Sequence, residues 1–209
     1  IREHWPDKNV FISVCCNDIN SYDRVASMNT DYFIKGIDYK KDEFITKGWI
    51  RMRQYDTIKK SVMGCIDNCK YVIQLHADAY ALNQNIVLEM LNHMDKNNYK
   101  VAFRGKWKGQ EGHPKTPFGH INDQFVIFNC EHLKKTNLFN ESDSQISEIK
   151  RVAHILSSEG ILSYLVQLVT PINELWHYDD MGKNIVHPKL SEDDFYPDKI
   201  SHSTIPPYN

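Results

Sequence analysis

The sequence predicts an α/β domain whose central, mostly parallel β-sheet is flanked by α-helices. Short apolar runs alternate with stretches of helical periodicity over residues 1–130, and this alternation is typical of parallel sheets covered by helices on both faces. The length of 209 residues fits one domain with a single core. We therefore expect one domain over residues 1–209. The start at Ile1 and the end at Ile-Pro-Pro-Tyr-Asn suggest a piece of a longer, multidomain chain.

Five apolar runs predict the strands of this sheet, since each is short and is bounded by polar or turn-forming residues. These runs cover residues 10–16, 32–37, 71–75, 101–103 and 124–129. Further strand-like pieces lie near residues 173–178, 184–187 and 199–204. The stretch from Arg104 to Phe118 is rich in Gly, Lys and Pro, and we expect it to be a loop.

Helical periodicity predicts the segments that connect the strands. Apolar residues recur at positions 55, 58, 62, 65, 66 and 69, and again at positions 86, 87, 90, 91 and 94. Helices are therefore expected over residues 54–69 and 84–96. A short helix capped by Ser21 or Asp23, and one or two helices within residues 143–169, complete the expected set.

The charge balance and the apolar pattern exclude several classes of protein. The 25 Lys and Arg residues against 27 Asp and Glu give a net charge of −2, so no global field draws the chain to nucleic acid or to an anionic membrane. No apolar run approaches the roughly 18 residues of a membrane span, and no signal peptide is present. Five cysteines without a Cys-x-x-Cys pair favour a reducing, cytoplasmic compartment, in which Cys65 and Cys69 pack as small apolar residues.

Four common nucleotide-binding or catalytic motifs are missing from the sequence. No Gly-x-Gly-x-x-Gly follows the first predicted strand and no Gly-x4-Gly-Lys-Ser/Thr occurs. The chain therefore lacks the phosphate-binding loop of dinucleotide-binding proteins and of P-loop proteins. The absence of Gly-x-Ser-x-Gly and of His-Glu-x-x-His argues against an α/β-hydrolase and a zinc protease.

Polar residues directly after the predicted strands are the first site candidates, because ligands of parallel sheets bind beyond the carboxyl ends of the strands. They are Asn17, Asp18, Asp38, His76, Asp78 and Arg104. A buried strand within Tyr71–Tyr80 runs directly into His76-Ala77-Asp78. The Asp78 carboxylate would suit a divalent ion that neutralises a diphosphate, since hard cations take oxygen ligands. The alternative is that Asp78 caps a helix.

Three segments resemble signatures of the GT-A-fold nucleotide-sugar glycosyltransferases. His76-Ala77-Asp78 is similar to their Asp-x-Asp motif, with the first acid replaced by histidine. Phe118–Asn129 resembles the turn and strand that face the donor sugar and acceptor. Ser157-Ser158-Glu159-Gly160 resembles the acid-bearing helix start that closes the active site. The order of these parts spans nearly the whole chain, and within the family the resemblance is nearest to chlorella-virus glycosyltransferase domains linked to capsid glycan synthesis.

This resemblance implies a GT-A-like (Rossmann-like) fold that moves a hexosyl or deoxyhexosyl unit from a UDP-sugar to a hydroxyl of a glycan or glycoprotein acceptor. It also implies Mn²⁺ or Mg²⁺ as cofactor, held by Asp78 and by a late histidine. His177, His187 and His202 are the candidates for that histidine, and we favour His202 because it follows a strand-like pair near the end of the core. A viral member of the family would act in the cytoplasm of its host cell.

The remaining roles are implied residue by residue. The donor-binding set is Cys16, Asn17, Asp18, Arg53, His76, Ala77, Asp78, Arg104, His120 and Asn122. Arg53 belongs to a basic cluster suited to oxyanions, although a plain surface role is the alternative. Asp123 and Glu159 are the catalytic candidates. Asp123 would act as the base toward the acceptor in an inverting enzyme, whereas the asymmetric motif favours retention, which needs no such base.

Two other functions stay open at this point. The missing first acid of the motif would also fit a catalytically inactive module that binds a nucleotide or a sugar. A nucleotidyltransferase shares the sheet and the metal acid, but it ordinarily has a glycine-rich phosphate loop after the first strand. Asn17-Asp18-Ile19-Asn20 contains no glycine.

Overall fold

A computed structural model of the chain describes residues 9–36, 50–75, 79–81, 84–107, 120–142, 144–146, 158–178, 185–186 and 200–202. Nine strands lie within these ranges. They are β1 (Ser13–Cys16), β2 (Tyr32–Lys35), β3 (Tyr71–Leu75), β4 (Ala79–Ala81), β5 (Val101–Trp107), β6 (His120–Asn129), β7 (Leu175–His177), β8 (Ile185–Val186) and β9 (Ile200–His202).

The helices of the described ranges are interspersed with the strands along the chain. They are α1 (Tyr22–Ala26), α2 (Ile50–Met63), α3 (Gln84–Asn97), α4 (Cys130–Thr136) and α5 (Ser158–Val169), with single 3₁₀ turns at Ile19–Ser21 and Ile172–Glu174. Residues 144–146 are also helical. None of these helices combines the length and the apolar character that a membrane crossing requires. The α/β composition predicted from the sequence is confirmed.

Several element boundaries differ from the sequence-based expectation. α2 ends at Met63 rather than continuing to Cys69, and a turn that starts at Gly64 follows it. Beyond Met63 the backbone hydrogen bonds change to three-residue spacing, as Cys65 N–H donates to the Val62 carbonyl oxygen and Asn68 N–H to that of Cys65. The apolar spacing continues through this change, so it overextended the predicted helix. β5 continues to Trp107, into the stretch that was expected to be a loop. The rest of that loop and most of residues 143–157 lie outside the described residues.

The main sheet is mixed, so the expected mostly parallel arrangement is not confirmed. Its four strands have the order β3-β6-β5-β7. β6 is antiparallel to both β3 and β5, and β7 is parallel to β5. Strands that are consecutive in the sequence and joined by a short connection pair most simply in antiparallel fashion, and β5 and β6 are consecutive strands of this kind.

One strand accounts for both antiparallel pairings. Since β3 and β5 each run opposite to β6, they run in the same direction, and β7 shares that direction. β6 is therefore the single reversed strand among the four. The carboxyl ends of β3, β5 and β7 consequently lie at the same edge of the sheet as the start of β6.

β1 points toward that edge as well. It pairs in parallel with β2 and packs against α2. At its start, the Ser13 hydroxyl lies against Gly64, where an added Cβ would come within 2.5 Å of Ser13 Oγ. Just past its end, Asn17 contacts Thr57 in the middle of α2. β1 therefore runs opposite to α2, as does β3, which returns along α2 after a short turn.

Helices cover both faces of the main sheet, as the sequence predicted. On one face, the core between the sheet, α2 and α5 includes Tyr55, Phe103, Phe128 and Leu165. On the other face, Met90 and Met94 of α3 pack with alternate residues of β6 and with Tyr178, whose hydroxyl donates to the carbonyl oxygen of Phe125 at 2.9 Å. The alternation of β6 side chains between two cores explains its nearly continuous apolar run.

Cys65 lies in the apolar core and Cys69 packs against it, which agrees with the sequence-based interpretation. All five cysteines are free. Cys65 and Cys130 are buried, and this burial raises the pKa of Cys65 to about 11 and that of Cys130 to about 12. Near neutral pH these side chains are therefore thiols rather than nucleophilic thiolates.

A buried histidine joins α4 to the end of α5. His132 is 7% exposed, and its Nε2 atom is hydrogen-bonded to Thr170 Oγ1 at 2.8 Å. Burial lowers the pKa of His132, against a weaker opposing effect of Glu174. The neutral imidazole is thus the form that the folded protein favours.

We expect the free energy of unfolding to decrease as the pH falls below about 6.5, the ordinary pKa of histidine. The unfolded chain protonates His132 at a higher pH than the folded chain does, so acid favours unfolding. The contribution is complete above about pH 6.5 and is lost as the pH falls through the folded-state pKa. Urea unfolding at about pH 7.5 and about pH 5.5 should show a smaller pH dependence for His132→Gln than for wild type. Equal pH dependence in wild type and His132→Gln would contradict this assignment.

Candidate functional site

The candidate site lies at one edge of the fold, which we call the carboxyl edge. It comprises the ends of β1, β3, β5 and β7 and the start of β6. Open α/β sheets place their ligands beyond the carboxyl ends of their strands. This edge is therefore where the sequence-predicted residues need to converge if they form one site.

The turn after β1 contains three of the donor-binding candidates. Asp18 accepts hydrogen bonds from the backbone N–H of Asn20 at 3.2 Å and from the Ser21 hydroxyl at 2.6 Å, which caps the following 3₁₀ turn. The Cys16 thiol donates to the Asp18 carbonyl oxygen at 3.6 Å. The Asp18 carboxylate thus has a structural role in shaping this turn, whatever else it binds.

Asn17 ties the end of β1 to α2. Its Nδ2 atom donates to Thr57 Oγ1, and the Cys15 thiol lies 3.9 Å from its Oδ1 atom. Gly36, just past β2, allows this side chain to fit, because a Cβ there would lie only 1.8 Å from Asn17 Oδ1. Burial, with the nearby Asp56 carboxylate second, raises the pKa of Cys15 to about 11. The Cys15 side chain is therefore a neutral thiol at this edge.

The pairing of β5 with β6 brings together candidates that are distant in the sequence. Arg104 is the register partner of Asn122, and Trp107 is the partner of His120. Asp123 follows Asn122 in the same strand. The register shifts after Phe103 and again after Arg104, and such irregularities often occur beside functional sites because they redirect side chains. The backbone positions of all four donor-side and catalytic candidates in this hairpin fall at the carboxyl edge.

The last predicted strand pairs beside the candidate motif His76-Ala77-Asp78. β9 is antiparallel to β4, and its register places His202 opposite Ala79. Asp78 lies outside the described residues, as do His76 and Ala77, but it is covalently joined to Ala79. His177 lies in the main sheet, opposite Phe103 and with their ring centroids 5.5 Å apart. His187 directly follows β8 and lies outside the described residues. Of the two described late histidines, His202 is the one whose strand pairs next to the motif.

The two remaining candidates, Glu159 and Arg53, lie in the first turns of α5 and α2, and both helices begin at the same edge. Ser163 of α5 accepts a hydrogen bond from the backbone N–H of Ile121, and α5 ends near Thr170, which bonds His132 beyond the far end of β6. α5 therefore begins at the carboxyl edge, one turn before Ser163 at Glu159. Arg53 likewise lies one turn before Thr57 on α2.

Three residues of this region were missed by sequence reasoning. Thr57 and Ser163 hold Asn17 and Ile121, and Gly36 makes room for Asn17. Ser163 had a detectable signal, since it is a single small hydroxyl in the apolar stretch Ile161–Val166. Thr57 and Gly36 had none, because their importance arises from contacts between distant segments.

No three-residue cluster of His, Cys, Asp or Glu that could hold a metal ion occurs in the part of the chain that the structure describes. Since Asp78 lies outside that part, the metal hypothesis is carried by the β4–β9 register alone. Comparison with known proteins adds no family assignment. No family model matches the chain, and searches of the curated proteins and of the solved structures return no significant match.

Asn17→Ala is expected to lower the free energy of unfolding by about 1–2 kcal/mol, because it removes the hydrogen bond from Asn17 to Thr57 that joins the end of β1 to α2. Urea unfolding measures this change. The matched control is Asn20→Ala, at an exposed position where the backbone N–H bond to Asp18 survives the substitution. An Asn17→Ala protein as stable as the Asn20→Ala protein would show that the Asn17–Thr57 contact contributes nothing.

Proposed function

We propose that the chain is a metal-dependent glycosyltransferase of the GT-A type, which moves a hexosyl or deoxyhexosyl unit from a UDP-sugar to a glycan hydroxyl. The main support is that candidates from separate segments of the chain lie at the carboxyl edge. The turn after β1, facing positions of β5 and β6, and the start of α5 all fall at this edge.

The residues that would hold the metal ion are Asp78 and His202. The register of β4 with β9 is the observation that favours this pair. Carboxylate oxygen and imidazole nitrogen are suitable ligands for Mn²⁺, and carboxylate oxygen suits Mg²⁺. When bound, such an ion would offset the negative charge that develops on the departing diphosphate.

Other residues of the chain would bind the nucleoside, the phosphates and the donor sugar. Asn17 and its neighbours would hold the nucleoside, while Arg53 would attract the phosphates. Arg104 and Asn122, on facing strand positions, would orient the donor sugar. In transfer, the bond from the sugar C1 to the UDP oxygen breaks and a bond to the acceptor oxygen forms.

The acceptor proton determines the role of Asp123. With retention, which the asymmetric motif favours, the proton can pass to the departing phosphate oxygen. With inversion, a carboxylate takes that proton, and Asp123 is the candidate base. Glu159, at the start of α5, would close the acceptor side of the site.

A binding module without catalysis is the second candidate. Its support is the sequence itself, since His76 stands where the family has the first acid of its motif. Many transferases slowly hydrolyse their donor in the absence of an acceptor, whereas a binding module does not. Release of free sugar from a UDP-sugar in the presence of Mn²⁺ would therefore decide between the two.

Asp78→Ala should abolish Mn²⁺-dependent UDP binding, because the variant loses the proposed carboxylate ligand. Isothermal titration calorimetry with UDP, GDP and CMP, each with and without Mn²⁺, measures the effect and the base preference together. The control is Asp67→Ala, which removes an exposed carboxylate paired with Lys134 at 2.8 Å on the turn before β3. Undiminished Mn²⁺-dependent UDP affinity in Asp78→Ala would refute the metal assignment.

Asp123→Ala should leave UDP affinity within about twofold of wild type while lowering transfer, because the carboxylate serves the acceptor rather than the nucleotide. A loss of about 100-fold or more in transfer would indicate general-base catalysis. A smaller loss would fit retention, with Asp123 positioning the acceptor. Calorimetry and a sugar-transfer assay give the two readings, and weakened UDP binding would instead move Asp123 into the donor site.

A further inference from the structure

Gln74 is a polar residue in an otherwise apolar layer. It is the penultimate residue of β3, it faces Val126 of β6 in the register, and it is 7% exposed. Alternation along the strand puts it on the same face as Val72, which packs in the core beneath α2 and α5. Its side chain therefore belongs to that layer, one residue short of the carboxyl edge.

Among the described side chains that are buried as a whole, Gln74 is the one with an oxygen that accepts no hydrogen bond. Two partly buried side chains, Ser13 and Asp56, also carry a buried oxygen of this kind, and Asp56 forms an ion pair with Lys60. Among the described residues, four polar side chains are buried: Gln74, His132, Ser163 and Thr170. His132 and Thr170 bond each other, and Ser163 accepts from the Ile121 backbone. Within those same residues, no group donates to Gln74 Oε1. A buried acceptor without a donor destabilises a protein, so its presence calls for an explanation.

The position of Gln74 supplies that explanation. The face of β3 that carries Gln74 is the face covered by α2, and α2 carries Thr57, which holds Asn17 at the end of β1. α5, which covers the same face, starts at the carboxyl edge near Glu159. The end of β3 that carries Gln74 therefore lies at the same edge as the first turns of these two helices.

We propose that Gln74 Oε1 is a ligand-binding acceptor that takes a hydrogen bond from a hydroxyl or N–H group of the bound nucleotide-sugar. This inference rests on the proposed function, since it assumes that a nucleotide-sugar occupies the carboxyl edge. Gln74 would contribute to specificity, because a ligand without a donor group at that position would leave the carbonyl unpaired.

Gln74→Met tests the proposal through two independent measurements. Methionine has a similar length and flexibility without the buried carbonyl, so the thermal unfolding midpoint of the ligand-free protein should stay the same or rise. The affinity for the nucleotide-sugar should fall about 3- to 10-fold, the usual effect of one lost hydrogen bond. A residue with a purely structural role would show the opposite pair of results.

Thr170→Val is the matched control, since it removes a buried hydroxyl that does have a partner. Its unfolding midpoint should fall while its ligand affinity stays at the wild-type value. Calorimetry with UDP and with UDP-glucose, both with Mn²⁺, locates the contact. If the affinity for both ligands falls, the hydrogen bond is made to the nucleotide. If only the affinity for UDP-glucose falls, the bond is made to the sugar.

Two results would overturn the inference. One is a midpoint for Gln74→Met as low as that of Thr170→Val, which would show that protein or buried water already satisfies the carbonyl. The other is wild-type affinity of Gln74→Met for both ligands. Failure of the proposed function looks different, since wild type itself would then bind neither UDP nor UDP-glucose.

Discussion

The direction of β6 is the constraint on which the rest of the fold depends. This strand bonds β3 on one side and β5 on the other, and both pairings are antiparallel. Its consecutive side chains also pack in different cores. Val126 and Phe128 pack toward α2 and α5, and Phe125 and Ile127 pack toward α3. β6 therefore holds the strands in order, joins the two helical layers and brings its own first residues to the edge where the other strands end.

Much of the secondary structure could be predicted from the sequence, whereas strand direction could not. β3 and the helix at 84–97 follow from local apolar patterns. Burial on both faces gives β6 the continuous apolar run of a parallel strand, although both of its partners are antiparallel. Direction depends on pairing between distant segments, which a local pattern does not encode. The end of α2 at Met63 was missed for a related reason, because the apolar periodicity continues into the turn that follows the helix.

The same distinction applies to the candidate site. Residues that follow strands, such as Asn17 and Arg104, could be selected from the sequence because strand ends are recognisable. The facing of Arg104 and Asn122 depends on register, including its shifts, and register is set by tertiary pairing. Gln74 was read only as part of an apolar strand, and its missing hydrogen-bond donor became apparent once its burial was known.

The connection between β5 and β6 leaves and re-enters the sheet at the carboxyl edge, because β5 ends there and β6 begins there. Loop-closure entropy grows slowly with length, by about 0.6 kcal/mol for each doubling. Insertions or deletions between Trp107 and His120 would therefore cost the core little, since the buried pairing from Val101 to Phe103 is anchored farther along the strands. Evolution or a designer could thus vary this connection to change what the carboxyl edge accepts, while the sheet beneath stays the same.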